Sequence, residues 1–171
     1  AAPTAHSISF RLAEIIGLQR RWTKCKGDFE KAFFQIGETI DREEKRAIVI
    51  LPTDIQENRK GEDRLCRELI YEVPGTKLAP LRWSQTVSKK LLLIGFKRSR
   101  IDLSLFLLYH LTELVAIFVI HVDDSVIWLE PQRVKWFQDQ LKLHGLRVRY
   151  FQVIPLGVPM EVVGATWLEK E

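Results

Sequence analysis

The sequence predicts an α+β domain, a mostly antiparallel sheet with helices packed on one face, and three observations carry that prediction. Three stretches repeat apolar residues at helical spacing, and between them lie shorter apolar runs of strand length. Two of those runs, "LVAIFVIHV" and "SVIWL", are separated only by the aspartates Asp123 and Asp124, which places a hairpin tip there. The composition, 46% hydrophobic and 28% charged over 171 residues, is that of one globular domain long enough to bury a core.

In chain order, Ile8, Leu12, Ile15 and Ile16 recur at helical spacing after Pro3 and Thr4, predicting an amphipathic helix that ends near Leu18. Trp22 to Phe29 reads as a strand, and Ala32 to Gln35 as a short helical turn. The segment from Asp41 to Arg64 is charged apart from a strand-like "AIVIL" at Ala47 to Leu51, and Asp54 to Arg64 is the best loop. Pro80 opens a second helix whose face carries Trp83, Val87, Leu91 and Ile94, with Gly95 placed as its C-terminal cap. "SLFLLY" and "LVAIFVIHV" are strands, the second too apolar for either face to meet water. "SVIWL" follows as another strand, and a third helix runs from Pro131 to Gly145 with Val134, Phe137 and Leu141 inward.

Charge and cysteine content narrow the function classes. A net charge of +4 and a pI near 9.1 tolerate a polyanionic partner without requiring one. Cys25 and Cys66 have neither disulfide-framework density nor zinc-site spacing, so both read as reduced cysteines of an intracellular protein. No apolar run reaches the length of a membrane span, and the first ten residues lack the basic start and apolar core of a secretory signal. A start without methionine fits a piece of something longer.

The aspartate pair is the feature with chemical content. Adjacent carboxylates at the tip of an apolar hairpin repel each other, and turn chemistry accounts for one aspartate more easily than for two. A divalent cation relieves the repulsion, and Mg²⁺ takes hard carboxylate oxygens together with substrate phosphates. A third carboxylate stands in a matching setting, because Asp28 ends the strand "WTKCKGD". Two strands delivering carboxylates from distant parts of the chain is what a two-metal phosphoryl-transfer site requires, with its metals about 4 Å apart.

Four blocks, "GDFEKAFF", "APLRW", "LLLIGFKRSRIDLSLFLLY" and "HVDD", in that order, resemble the reverse transcriptase of copia-type retrotransposons. The correspondence runs from "PTAHSISFRLAEIIGLQRRW" to "EVVGATW", nearly the whole chain. "GDFEKAFF" is similar to the family's first catalytic block, and the aspartate pair to its Tyr-x-Asp-Asp signature. The resemblance implies a right-hand polymerase palm with partial fingers, copying RNA or DNA into DNA with Mg²⁺ or Mn²⁺. It makes Asp28, Asp123 and Asp124 the catalytic, metal-binding triad, with the backbone carbonyl at Phe29 completing the metal shell. Phe33, beside Ala32, becomes the steric gate against a ribose 2′-hydroxyl, and Ala32 and Pro80 join it at the deoxynucleoside triphosphate. Lys97, Arg98, Arg100 and His121 are the implied contacts to the template-primer, an electrostatic and salt-sensitive interaction. Lys89 and Lys90 read rather as a solvated helix end, Asp102 as a structural cap or salt-bridge partner, and Trp83 and Trp128 as core.

The chain departs from the family's pattern at several points. His121 stands where the signature usually has tyrosine, "EVPGTKL" makes a longer spacer before Ala79, Leu78 replaces a commonly polar residue, and "AFFQIGE" carries one extra residue. The resemblance therefore implies a single partial domain over residues 1–171, palm plus part of the fingers, with the N-terminal fingers, thumb and ribonuclease H absent. Little or no polymerase activity is expected of it alone. The alternative is a decayed or repurposed non-catalytic nucleic-acid-binding or interaction domain, in which the aspartates persist without chemistry.

Overall fold

The computed structural model describes residues 3–36, 48–50, 66–68, 75–155, 160–162 and 165–167. The charged loop expected at Asp54 to Arg64 and the side chain of Cys66 lie outside the described residues. The order is α1 (Ser7–Gln19), β1 (Thr23–Phe29), a 3₁₀ turn (Ala32–Gln35), β2 (Ile48–Ile50), β3 (Cys66–Glu68), α2 (Ala79–Ile94), β4 (Lys97–Arg98), β5 (Leu105–His110), β6 (Glu113–His121) and β7 (Asp124–Leu129). A 3₁₀ turn (Pro131–Arg133), α3 (Val134–Leu143), β8 (Val148–Ile154), β9 (Met160–Val162) and β10 (Ala165–Trp167) follow. Six strands form one open, wholly antiparallel sheet in the order β4-β5-β6-β7-β1-β8, while β2 pairs with β3 and β9 with β10. The chain is thus an α+β protein. Among the described residues, no helix is long and apolar enough to cross a membrane.

The central strand β6 explains the layering. Its residues from Val115 to Ile120 are all buried, so both of its faces must be covered. Phe118 and Ile120 join Trp83, Val87 and Leu91 of α2 and Phe137 and Leu141 of α3 in one core. Ile117 and Val119, pointing the other way, join Phe10 and Ala13 of α1 with Val126 and Trp128 of β7 in a second core. Helices therefore cover both faces of the sheet. The expectation of helices on one face is corrected by the physics of β6, which has no polar side to leave in water.

Helix α1 has the predicted extent, but of the predicted stripe only Ile16 packs against the core. Ile8, Leu12 and Ile15 are 61%, 53% and 52% exposed, whereas Phe10, Ala13 and Gly17 face the sheet. Phe10 fills one end of the inward face against Trp128, while Ala13 and Gly17 let the rest of the helix backbone approach closely. A Cβ added at Gly17 would stand 2.5 Å from Cδ1 of Trp128. Asp102 fixes the start of the helix: its Oδ2 accepts from the His6 N–H (2.9 Å) and the Ser9 hydroxyl (2.5 Å), and its Oδ1 from the Ser104 N–H (2.8 Å). That is the capping role expected of this residue. The C-terminal cap of α2 is Gly95 at φ 109°, as its position implies.

This docking makes a stability prediction. Gly17→Ala is expected to destabilise by about 1–3 kcal/mol through overpacking against Trp128, despite alanine's advantage of roughly 1 kcal/mol over glycine within a helix. Leu12→Ala, on the outer stripe, should change stability by less than about 0.5 kcal/mol. Urea unfolding followed by far-ultraviolet circular dichroism separates the two; the reverse ranking would mean that α1 docks by its other face.

Candidate functional site

The site is built around the β6–β7 hairpin. The two strands pair in unbroken register as far as His121 and Asp124, so Val122 and Asp123 alone make the turn. Two-residue hairpins require positive φ at the first central residue or at both, and Val122 has φ 54°. A β-branched side chain rarely enters that region, and its neighbours hold it there. The Trp83 indole N–H donates to the Val122 carbonyl at 2.5 Å, and the Phe29 N–H donates to the Asp123 carbonyl at 3.1 Å. Trp83 also meets the Phe29 ring edge-on at 5.2 Å. One buried tryptophan of α2 thus ties the hairpin tip to the end of β1.

The tie brings the predicted carboxylates together. Asp28 lies directly across from Asp124 in the β1–β7 ladder. Both belong to the sheet face that carries Val126 and Trp128 and receives α1, at the end that α1 leaves open. Trp128 and Val126 are buried, Asp124 is half-buried and Asp123 is exposed, so the face opens toward the hairpin. Burial first, and then the charge of Asp123, push the Asp28 carboxyl above the usual carboxylate range; Arg149 opposes them, Asp124 adds to the shift, and Lys26 opposes it. Hard anionic oxygens whose mutual repulsion raises one of their pKa values are a donor set that a divalent cation suits. In the present side-chain arrangement, though, no three His, Cys, Asp or Glu groups among the described residues are gathered closely enough to hold a metal ion. The Lys26 ammonium instead lies 3.3 Å from Asp124 Oδ1.

Two contributors were not singled out from the sequence. Lys26 precedes Asp28 by two positions, so strand periodicity alone puts it on the same face. Arg149 is the extra residue where the β1–β8 register slips between Asp28 and Phe29, with Asp28 opposite Tyr150 and Phe29 opposite Val148. Such a bulge re-aims side chains, and no local sequence signal announces it.

The remaining expected site residues fall into two groups. Ala32 is buried and Phe33 half-buried on the 3₁₀ turn after β1, which contacts α2, the helix that carries Pro80 in its first turn. The Phe29 ring is core, and its N–H serves the hairpin. By contrast, Lys97 and Arg98 sit on β4, the opposite edge of the sheet from β8, with β5, β6 and β7 between them and Asp28. At about 4.8 Å per strand this separation is roughly 19 Å. Arg98 is committed to the fold, donating to the Leu103 carbonyl at 2.6 Å, with its guanidinium 5.6 Å from the Phe106 ring. Lys97 stands over Tyr109, and Arg100 is exposed in the loop that follows β4. Lys90 donates to the Gly145 carbonyl beyond α3, a structural role. His121 is paired with Asp124 across the hairpin, and its buried Nδ1 has no hydrogen-bond partner among the described residues. Cys25 is buried in the core, which pushes its thiol up to about 12 and leaves it unreactive.

Two substitutions test this electrostatic reading. Folding raises the Asp28 pKa, so its ionisation disfavours the folded state above that pKa. Asp28→Asn should therefore raise the melting temperature at neutral pH. The gain should shrink as pH falls through the raised pKa and vanish below the ordinary aspartate value of about 3.9. Melting curves across that range check it, and a gain independent of pH would contradict it. His121→Phe removes the orphaned nitrogen and is expected to stabilise by about 1 kcal/mol, the lower end of the penalty for an unsatisfied buried polar atom; urea unfolding reads it. Set against known proteins, the chain matches no family model, no curated protein and no solved structure.

Proposed function

We propose that the chain is the palm-centred part of an RNA-directed DNA polymerase of the copia retrotransposon type, performing divalent-metal nucleotidyl transfer on a template-primer. The observation that carries this reading is the pairing of Asp28 with Asp124 across adjacent strands, although they lie far apart in the chain. Resemblance to the two aspartate blocks requires that convergence, and no short-range pattern produces it. The order β6-β7-β1 puts the hairpin and the Asp28 strand side by side at the open end of the sheet.

In this reading Asp28, Asp123 and Asp124 hold Mg²⁺ or Mn²⁺, with the Phe29 carbonyl as a further oxygen donor. The metal supplies acidification of the attacking 3′-hydroxyl and neutralisation of the triphosphate. The chain's own groups do the positioning. Phe33, half-buried, walls the sugar of the incoming deoxynucleoside triphosphate, Ala32 supports it from within the core, and Pro80 lies in the first turn of α2. His121, next to Asp124, faces the primer end, while Lys97 and Arg100 at the far sheet edge contact phosphates along the duplex, with Arg98 buttressing that edge.

A second reading is a repurposed palm that binds nucleic acid without chemistry. The contact that favours it is Lys26 on Asp124, a cation already resident among the carboxylates. The two readings separate in one assay series. With a fingers segment joined to the chain, a poly(rA) template, an oligo(dT) primer and Mg²⁺ or Mn²⁺, the polymerase reading expects incorporation that Asp123→Asn lowers by at least about 100-fold, more than the loss of an outer-shell group costs. Incorporation unaffected by that substitution would exclude the assigned role. Salt-dependent binding to an RNA–DNA hybrid with no incorporation under any metal condition, even with a fingers segment supplied, would favour the second reading.

A further inference from the structure

We infer that the cleft between α3 and β8 is a binding site for a small aromatic anion, whose ring lies against Phe151 and whose anionic head is held by Arg147 and Lys142. The cleft is separate from the aspartates. Phe151 and Val148 stand opposite Gly27 and Phe29 in the β1–β8 ladder and pack on the core beneath α2 and α3, whereas Asp28 alternates to the other face.

The cleft encloses about 420 Å³, within the range of roughly 300–1,000 Å³ typical of small-molecule sites. Its wall is apolar and its rim is charged. Leu141 and Leu146 are buried in the core, and the half-buried Val148 and Phe151 pack against it. The Phe151 ring is seated by its neighbours: a Cβ at Gly27 would stand 3.4 Å from it, and the Phe137 ring centre lies 5.9 Å away. A fixed aromatic wall favours a second ring, packed offset or edge-on.

The rim cations stand on a built loop. The Arg147 N–H donates to Gln35 Oε1 at 2.7 Å, and the Arg147 carbonyl accepts from Gln35 Nε2 at 2.8 Å and from the Glu30 N–H at 3.1 Å. The Leu146 N–H donates to the Leu141 carbonyl at 2.8 Å, and Lys90 Nζ to the Gly145 carbonyl at 3.0 Å. The 3₁₀ turn, α3 and α2 thus all hold this loop. Among the described residues, however, the Arg147 guanidinium and the Lys142 ammonium have no ion-pair partner. Glu30 is the one acid among the described residues that line the cleft. The Lys90 pKa is lowered, first by burial and then by the Arg147 charge, so positive charge gathers here unneutralised. An anion supplies the missing countercharge, and a guanidinium offers a carboxylate or phosphate two parallel N–H bonds.

The test is an amide-resolved NMR titration of the whole chain at fixed ionic strength. The probes are 2-naphthoate, 2-naphthyl phosphate, the neutral 2-naphthamide, and acetate and inorganic phosphate as anions without a ring. At least one aromatic anion is expected to bind with a Kd below about 1 mM, at least about tenfold tighter than the amide or either ring-free anion. Its binding should shift the amides of Gly145, Arg147 and Val148, and the tighter of the two names the head group. Arg147→Gln should weaken that anion about tenfold with little change in melting temperature, because the loop is held through the Arg147 main chain. Lys142→Gln, at an exposed helix position, is the second charge variant and should weaken it about threefold. Phe151→Leu should weaken the anion and the amide alike. Naphthamide binding as tightly as the anions, affinity unmoved by both charge variants, or shifts centred elsewhere would overturn the assignment. So would the absence of saturable shifts with either aromatic anion at millimolar concentration.

Discussion

The arrangement of the site depends on the clamp between the hairpin tip and the end of β1, made by the Phe29 N–H on the Asp123 carbonyl and the Trp83 indole on the Val122 carbonyl. A one-residue slip of β7 against β1 would send Asp124 to the opposite face of the sheet and break its alignment with Asp28. Ladder hydrogen bonds alone resist such slips weakly at a strand end, where fraying begins. The indole adds a directional bond from a buried helix, and the Phe29 ring packed on the same indole ties the two strands through one side chain. The unfavourable φ of Val122 is tolerated because both carbonyls of the turn have partners.

Sheet layering follows from a separate constraint, the apolar character of β6 on both sides. A strand with no polar face cannot border water, so a helix must lie on each side of the sheet. On the side of α2 and α3, large aromatics fill the gap, with Phe96, Phe118 and Phe137 meeting at 5.7–6.2 Å between ring centres. On the α1 side Phe10 meets Trp128 edge-on at 6.4 Å, and Ala13 and Gly17 complete the contact. Helix α1 starts at the Asp102 corner beside β5 and ends with Gly17 against Trp128 of β7. On the same face Asp124 is half-buried and Asp123, in the turn, is exposed.

This division accounts for what could be read in the sequence and what could not. Element type and extent were legible wherever periodicity met a terminal signal, as in α2, where Trp83, Val87, Leu91 and Ile94 face the core and Gly95 closes the helix. The convergence of Asp28 with the hairpin was legible only through the order of the motifs, since strand adjacency leaves no periodic trace. The buried stripe of α1 was not legible, because the more apolar stripe, Ile8, Leu12 and Ile15, faces outward and close packing selects the small residues instead. Nor could the basic cluster be located: Lys97 and Arg98 follow α2 closely in sequence, yet strand order carries them to the far edge. Trp83 was readable as core by size and pattern, but its hydrogen bond to the hairpin depends on a turn carbonyl that only the fold supplies.

The charges along β1 show how one strand serves both stability and a reactive end. At the closed end, Glu14 accepts from the Lys24 ammonium at one oxygen and from the Trp128 indole at the other, each at 2.7 Å, so a sheltered carboxylate is satisfied on both oxygens. That saturation is the condition under which a buried ion pair is tolerated. At the other end the balance differs: burial raises the Asp28 carboxyl above its ordinary range, Asp123 and Asp124 add to the shift, and Arg149 and Lys26 oppose it. A stability-driven surface would have relieved that strain with one neutral substitution, and such unrelieved charge concentrates at functional sites. The function proposed for the chain rests on the convergence of Asp28 with Asp124, a property of particular side chains, and not on the α+β fold, which many unrelated activities share.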